Sequence, residues 1–599
     1  MTSKRRVVVG ILAFLLLATG GYFAFERLNR PPPDEMHFFA GVRGPREASR
    51  IIEPTPTRIS AFERGGPHRL AILVTDPESG WLGLVRGFRA LGVPITVTGD
   101  VNRALRHKVV LVYPIVSGRT LEGPQIRALA DHVRGGGTVV AFNLAGGGLE
   151  ELFGVVPGPE ATTRTRLRWT RTTGEAETDE IVVSGAGEVR VGSIGYQATS
   201  AEVLGRFEDG SAAVTCRTVG GRACLVGIDL GSLAQRSMNG RAEAIARRYV
   251  NGYDPSLDSL FRWVRDIYVA GEPMPWLVSS APAGREVSIL FTHDVDFGES
   301  VRNAPAFAAA LAARGVRGTF FVQTKYLKDY NDSIFFDDTT VPLLSALVRD
   351  GHEIGSHTVA HSGRFEVMEL GSGRERYPAY RPRVTSVDGV EGASILGELR
   401  VSKFLLERLT GAAVSSFRPG RLSYPFSLPQ AMQATGYRYS SSVTANVVMT
   451  HLPFQMTDGR ADGALQPIYE FPVTIEDELP PRMGDRLDAG NALIERIARD
   501  RGVAVILTHP NITDHKLRFV EGVADYWRGR AWMGTVDAFG DWWAARDALE
   551  TDIVARDGRW VLVSAAGAEV RDVAVLLPKA GRRSFTLRQA AGTRRETVL

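Results

Sequence analysis

The chain has 599 residues, too many for a single hydrophobic core, so two to four domains are expected. A make-up of 44% hydrophobic and 23% charged residues is that of folded globular protein and excludes a fibrous or wholly disordered chain. A net charge of +4 over this length, with no clustered basic stripe, leaves no footprint for a nucleic-acid partner.

At the N-terminus Lys4, Arg5 and Arg6 precede residues 7–25, which contain no charged side chain. As a helix that run rises about 28 Å, close to the hydrocarbon thickness of a bilayer. Basic residues on the short leading side keep that end in the cytoplasm and send the remainder across. The expectation is a single-pass transmembrane helix within residues 1–30, in the cytoplasmic membrane, with the rest of the chain on the periplasmic side. A cleavable signal peptide is the alternative, since Ala18, Gly20 and Gly21 lie in the run, and it would give a secreted protein. Residues 31–65, rich in Pro, Arg and Gly, read as a linker.

From residue 66 to about 240 the pattern is β-α-β. Strands at 70–74, 95–98, 108–113 and 138–142, with helices at 82–90 and 124–134, predict a doubly wound α/β domain. The stretch GGGTVVAFNLAGGG, residues 135–148, resembles the strand and sharp turn of class I glutamine amidotransferase-like domains. Those domains place a Cys nucleophile at the turn, where this chain has Asn143. The resemblance therefore implies a scaffold or binding module without amidotransferase chemistry. Cys216 and Cys224 lie in a β-rich stretch, 164–229, either side of Val219, Gly220 and Gly221. A hairpin with a three-residue loop would set them opposite each other, ready for a disulfide in an exported protein; two free, half-buried thiols fit the sequence nearly as well.

A helical connector, 241–284, leads to a second large domain at 285–550. Strands at 287–291, 318–323, 353–356, 415–417, 437–440, 470–473 and 503–507 alternate with helices at 304–314, 341–349, 394–409, 428–435, 489–500, 516–528 and 538–549. Seven such units over roughly 265 residues suit a (β/α) barrel, whose usual size is about 250. Residues 551–599 read as a small β domain. The expected fold class is α/β multidomain: a deformed (β/α) barrel preceded by a doubly wound domain, with a transmembrane helix before and a small β domain after.

Polar residues follow several barrel strands, and the C-terminal rim of such strands is where active sites form. His357 and His361 are four apart; on a helical turn their imidazoles would share one face about 5–6 Å apart, a spacing that chelates metal. Two surface or capping histidines are the other reading. Asp294 and Asp296, two apart, repel when both are ionised, and a cation removes that difficulty. One could complete a His-His-Asp ligand set while the other takes the proton of an attacking water; a helix N-cap with an exposed neighbour is the plainer reading. His293, beside them, reads as structural. His509, ending an apolar strand, suits a general acid or a capped strand end. Arg418 can hold a carboxylate through a forked hydrogen bond or make a surface ion pair.

Together these residues resemble the polysaccharide deacetylase family, also known as carbohydrate esterase family 4 or the chitooligosaccharide deacetylase homology domain, over roughly 285–510. The resemblance implies Asp294 as base and Asp296 as metal ligand. It makes His357 and His361 of His357-Thr358-Val359-Ala360-His361 the remaining ligands, Arg418 the group that orients the base, and His509 of Leu507-Thr508-His509-Pro510 the acid. It further implies a divalent metal, in the first instance Zn²⁺, and hydrolysis of N-acetyl groups, at carbon–nitrogen bonds other than peptide bonds. The implied partners are an N-acetylated polysaccharide, the cytoplasmic membrane through the N-terminal helix, and exopolysaccharide export or cell-wall machinery. The chain departs from the family in two places. Arg418-Pro419-Gly420-Arg421 replaces a motif ending in Pro-Tyr, which moves the expected oxyanion donor to Arg421, with Tyr424 as a nearby substrate contact. Ser440 and Ser441 stand where an aspartate supporting the catalytic histidine is usual, so the partner of His509 is unassigned. Two other readings remain: an amidohydrolase acting on a small linear or cyclic amide, and a catalytically silent glycan-binding component of an export assembly. Trp527, Trp532, Trp542 and Trp543 could stack on sugars or serve the core.

Overall fold

The computed structural model describes residues 35–170, 180–182, 191–238, 251–252, 258–445, 451–458, 463–581 and 583–599. The apolar run 7–25 and most of the expected connector before residue 258 lie outside the described residues. Among those described, no helix is long and apolar enough to cross a membrane.

The first domain is built on β1 (Leu70–Val74), β2 (Ile95–Thr98), β3 (Val109–Tyr113), β4 (Thr138–Phe142) and β5 (Gly221–Val226). They lie in the order β2-β1-β3-β4-β5, every neighbouring pair parallel. The continuous Leu/Ile/Val runs of β1 and β3 fit a sheet covered on both faces. The helix Trp81–Ala90 packs with Leu70 and Ile72, whereas Gly123–Arg134 packs with Ala71 and Leu73 on the opposite face. Strand Ala212–Val219 runs antiparallel to β5 and sets Cys216 opposite Cys224, and the two are joined as a disulfide. Pairing continues to Val219 and Gly221, so the hairpin turns on Gly220 alone rather than on a three-residue loop. Gly220 supplies the left-handed φ of 77° that this tight reversal needs.

The barrel strands are β6 (Val287–Val295), β7 (Thr319–Val322), β8 (Glu353–Ser356), β9 (Ser416–Phe417), β10 (Tyr439–Ser440), β11 (Leu465–Glu470) and β12 (Val503–Thr508). Neighbours in the order β11-β10-β9-β8-β7-β6-β12 are parallel, and a parallel bridge between Ile475 and Ile506 links the chain after β11 to β12. Two strands differ from expectation. β6 runs on through Asp294, because His293 is a buried member of it: its ring packs near Phe307 and Phe320, and Nδ1 meets Thr508 Oγ1 at 2.5 Å. β11 lies at Leu465–Glu470 rather than 470–473, since the antiparallel strand Phe454–Thr457 pairs along it.

Residues 35–62 are not a free linker. His37 N–H donates to the Tyr326 carbonyl, Phe39 is buried against Phe336 and Tyr377, Gly44 bridges Tyr377, and Ser49 N–H donates to the Gly373 carbonyl. The apolar side chains Phe39 and Met36 turn this Pro- and Arg-rich stretch into a strap across the barrel. At the other end, strands Leu549–Arg556, Arg559–Ala566 and Arg594–Val598 form one small sheet, and Val570–Leu577 with Arg583–Gln589 form another, which Leu277–Val278 joins. Arg546 knits the domains together. Its buried guanidinium donates to the carbonyls of Arg89, Ala90, Val278 and Ser279 and sits 4.5 Å from the Trp543 ring centroid.

Candidate active site

Asp294 is the penultimate residue of β6 and Asp296 follows its end; two apart, the period-2 alternation of a strand sends both carboxylates to the same side of the rim. Arg418, one residue past β9, is fully buried. Its Nη1 donates to Asp294 Oδ1 at 2.6 Å, Nη2 to Thr292 Oγ1 at 3.0 Å and Ser441 Oγ at 2.7 Å, and Nε to the Ser441 carbonyl at 3.0 Å. The guanidinium also lies 4.4 Å from the Phe321 ring centroid. Burial alone would raise the Asp294 carboxyl, but Arg418, with His357 and His509, holds it below the usual carboxylate range. Ser441 thus serves the arginine, while Ser440 Oγ pairs with Ser442 Oγ at 2.7 Å.

The segment after β8 is not the helical turn that would place the two histidines on one face. It is a tight loop in which Thr358 (φ 68°) and His361 (φ 54°) are both left-handed. Such conformations cost L-residues about 1–2 kcal/mol each, and most for a β-branched one, so the neighbours must hold the loop. The carbonyl of Thr358 accepts from Thr324 N–H, that of Val359 from Gln323 Nε2, and that of His361 from Asn331 Nδ2. Gly420 backs the second histidine; a Cβ there would lie 2.6 Å from the His361 ring.

The loop brings the imidazole centroids of His357 and His361 to 4.9 Å. One donor atom from each of Asp296, His357 and His361 lies within 4.8 Å of the others. His357 Nδ1 is 2.8 Å from the Arg418 carbonyl, an arrangement that fixes the proton there and leaves Nε2 as a lone-pair donor. Burial lowers the pKa of both imidazoles, with His357 and Arg421 adding to the effect at His361, and neutral imidazole is the ligating form. Asp296 is pushed up to about 7, by burial first and then by Asp294, against the pull of His509. Its Oδ1 is buried without a hydrogen-bond partner. Two nitrogens and one carboxylate, one of whose oxygens is the orphaned Oδ1, fit a divalent cation of the zinc class, bound with positions left open.

His509 stands one residue past β12, and sequence reasoning did not supply its partner. Asp477 does: Oδ1 lies 2.7 Å from His509 Nδ1, and Oδ2 accepts from His509 N–H at 2.6 Å and pairs with Lys516 Nζ at 2.7 Å. Burial works to lower the pKa of His509, but Asp477, then Asp296 and Asp294, lift it to about 10. Nε2 is left facing Asp296 Oδ2 at 3.7 Å and Glu478 Oε1 at 3.7 Å. The signal in the sequence was the acidic run Glu476-Asp477-Glu478 between a strand and a helix, which lies beyond the motif where a partner is usual.

Arg421 is exposed beside His361, with a left-handed φ of 55°. Tyr424 does not reach the rim: it is buried in the core, where its hydroxyl interacts with Arg86 of the first domain, so a substrate contact is corrected to an interdomain one. The tryptophans are packing residues. Trp527 and Trp543 are buried, and Trp532 and Trp542 lie against Phe539. Beside the site an open cleft of about 520 Å³ is lined by Phe297, Glu299, Arg302, Asp332, Asp337 and Asn511 among others.

No curated protein matches the chain. Among solved structures it is similar to a candidate polysaccharide deacetylase from Mycobacterium smegmatis, at 18% identity and TM-score 0.33, covering 44% of this chain and 93% of that one. It is similar also to a family 4 carbohydrate esterase from Streptomyces lividans solved with acetate, at 14% identity and TM-score 0.25, covering 41% and 92%. A third is a CE4 family pseudoenzyme from Bacillus anthracis, at 14% identity and TM-score 0.24, covering 43% and 66%. Residues 282–440, the stretch that carries Asp294, Asp296, His357, His361 and Arg418, match the model of the polysaccharide deacetylase family.

Proposed function

We propose that this protein is a metal-dependent N-deacetylase of a polysaccharide. The observation that carries the reading is the convergence, on one rim, of an N,N,O donor set with an arginine-pinned carboxylate on one side and a carboxylate-backed histidine on the other. When bound by Asp296, His357 and His361, a divalent cation, in the first instance Zn²⁺, supplies Lewis acidity to the acetyl carbonyl and the attacking water. Asp294 takes the proton from that water at Oδ2, since Oδ1 is held by Arg418. His509 Nε2 gives its proton to the departing sugar amine, while Asp477 keeps the ring in the required orientation through Nδ1. Arg421, beside His361, is the candidate for steadying the developing oxyanion.

The polymer reading, over a small amide, is supported by the open cleft running from Phe297 to Asn511. Membrane attachment through residues 7–25 and action on the periplasmic side belong to the same proposal, supported by Lys4, Arg5 and Arg6 before an uncharged run. The first domain, with Asn143 at its turn, serves as scaffold or binding module. Metal analysis of the purified protein, together with acetate release from an N-acetylglucosamine oligomer, tests the reading. Bound metal and acetate release are expected; absence of both would leave a glycan-binding component. Metal with hydrolysis confined to small amides would favour the amidohydrolase.

A further inference from the structure

The loop between the two histidine ligands directs two of its peptide N–H groups, those of Val359 and Ala360, onto a carboxylate that the proposed reaction does not use. Glu398 is fully buried in the first turn of the helix Ile395–Thr410. Its Oε2 accepts from Val359 N–H at 2.8 Å and from Ala360 N–H at 2.8 Å. These are consecutive residues directly after the left-handed Thr358, and successive N–H groups in such a conformation form a concavity that holds an anion. Here the anion is a side chain of the protein. Its second oxygen, Oε1, accepts from Tyr380 O–H at 2.9 Å, and Tyr380 Oη in turn accepts from the N–H of Ser394, whose side chain caps the same helix. Lys325, paired with Asp329 at 2.5 Å, adds a positive charge nearby.

We propose that Glu398 is a positioning residue that fixes the two histidine ligands for the metal through the backbone between them. It touches neither ligand ring. It ties the helix after the loop to both peptides inside the His357-to-His361 turn, so the separation and tilt of the imidazoles are set by a covalent path anchored at one carboxylate. The inference rests on His357 and His361 being metal ligands, as in the proposed function.

The test is Zn²⁺ affinity, measured by chelator competition on the whole protein, for wild type, Glu398→Gln and Glu398→Leu, with thermal melting run alongside. Glutamine keeps an acceptor oxygen for the two N–H groups and should bind Zn²⁺ close to wild type. Leucine removes it and should weaken binding by about 10- to 100-fold, the usual effect of losing a partner that orients ligands. A folded Glu398→Leu protein with wild-type affinity overturns the proposal. If that variant does not fold, Glu398→Asp is read instead, since it withdraws the oxygens by one methylene: weakened affinity supports the assignment and unchanged affinity overturns it. A wild type that binds no Zn²⁺ overturns both this inference and the proposed function. Graded affinity in a protein that releases no acetate supports the inference and removes only the deacetylase reading.

Discussion

Asp294 has one oxygen committed to Arg418 and the other 3.8 Å from His357 Nε2, so under the proposed mechanism replacing the carboxylate removes the base and leaves the ligand set in place. Asp294→Asn should lower kcat by about 10²–10⁴-fold with metal stoichiometry unchanged, as acetate release and elemental analysis would report. Full activity in that variant would sink the base assignment. Asp477→Asn acts differently. His509 is held cationic by Asp477 to an upper limit of about 10, so losing that partner lowers its pKa, and the protonated acid disappears earlier as pH rises. The alkaline limb of the rate profile should move to lower pH; a profile identical to wild type would separate Asp477 from catalysis. At this scale the sequence was informative about which polar side chains meet at one rim, because their residue types and strand-end positions are local. It was silent about Asp477, whose link to His509 crosses 32 residues and depends on how β11 and β12 lie together.

At the scale of elements, the opposite end of the barrel supplies a pH-dependent stability term. Glu353 opens β8, buried, and accepts from Thr319 Oγ1, Ser416 Oγ and Asp537 N–H. Burial, then Asp537, raises its pKa above the ordinary 4.5. The native protein therefore holds a proton that the unfolded chain releases, and the associated stability is present below about pH 4.5 and lost as pH rises from there. Glu353→Gln should flatten the fall in Tm between pH 5 and pH 8, roughly the span over which such a group exchanges its proton. An unchanged slope would remove Glu353 from that role. The alternating pattern of the barrel was readable because long helices and β-branched strands repeat regularly. β9 and β10 are two residues each, though, and their existence is decided by pairing with neighbours rather than by composition. The same applies to the loop 357–361: a four-residue spacing is common to a helix and to this left-handed turn, and contacts from distant residues, Gln323, Thr324, Asn331 and Glu398, distinguish them.

Over the whole molecule, Arg546 concentrates much of the coupling between the first domain and the barrel in one guanidinium. Arg546→Ala removes that charged donor from the carbonyls of residues 89, 90, 278 and 279, each bond worth about 1–3 kcal/mol. A lower first transition, with the two large domains melting separately, is expected in calorimetry; one unchanged transition would show that the junction does not depend on it. Composition foretold several domains but not their intimacy. The core of the first sheet and that of the barrel form one continuous cluster, built in part by Phe88, Phe261 and Tyr424, none of which declares a partner domain in sequence.

The strap also decides which way the molecule faces. Its first described residue, Glu35, accepts a hydrogen bond from Lys328 N–H, and three residues further on Asn331 grips the carbonyl of His361. Residue 35 therefore lies beside the mouth of the candidate site, whereas Leu599 donates its N–H to the Trp560 carbonyl in the small β domain. A tether, tag or carrier fused ahead of Glu35 would crowd the mouth and hold it close to whatever surface it is fixed to. The same attachment at Leu599 would leave the approach to the cleft clear.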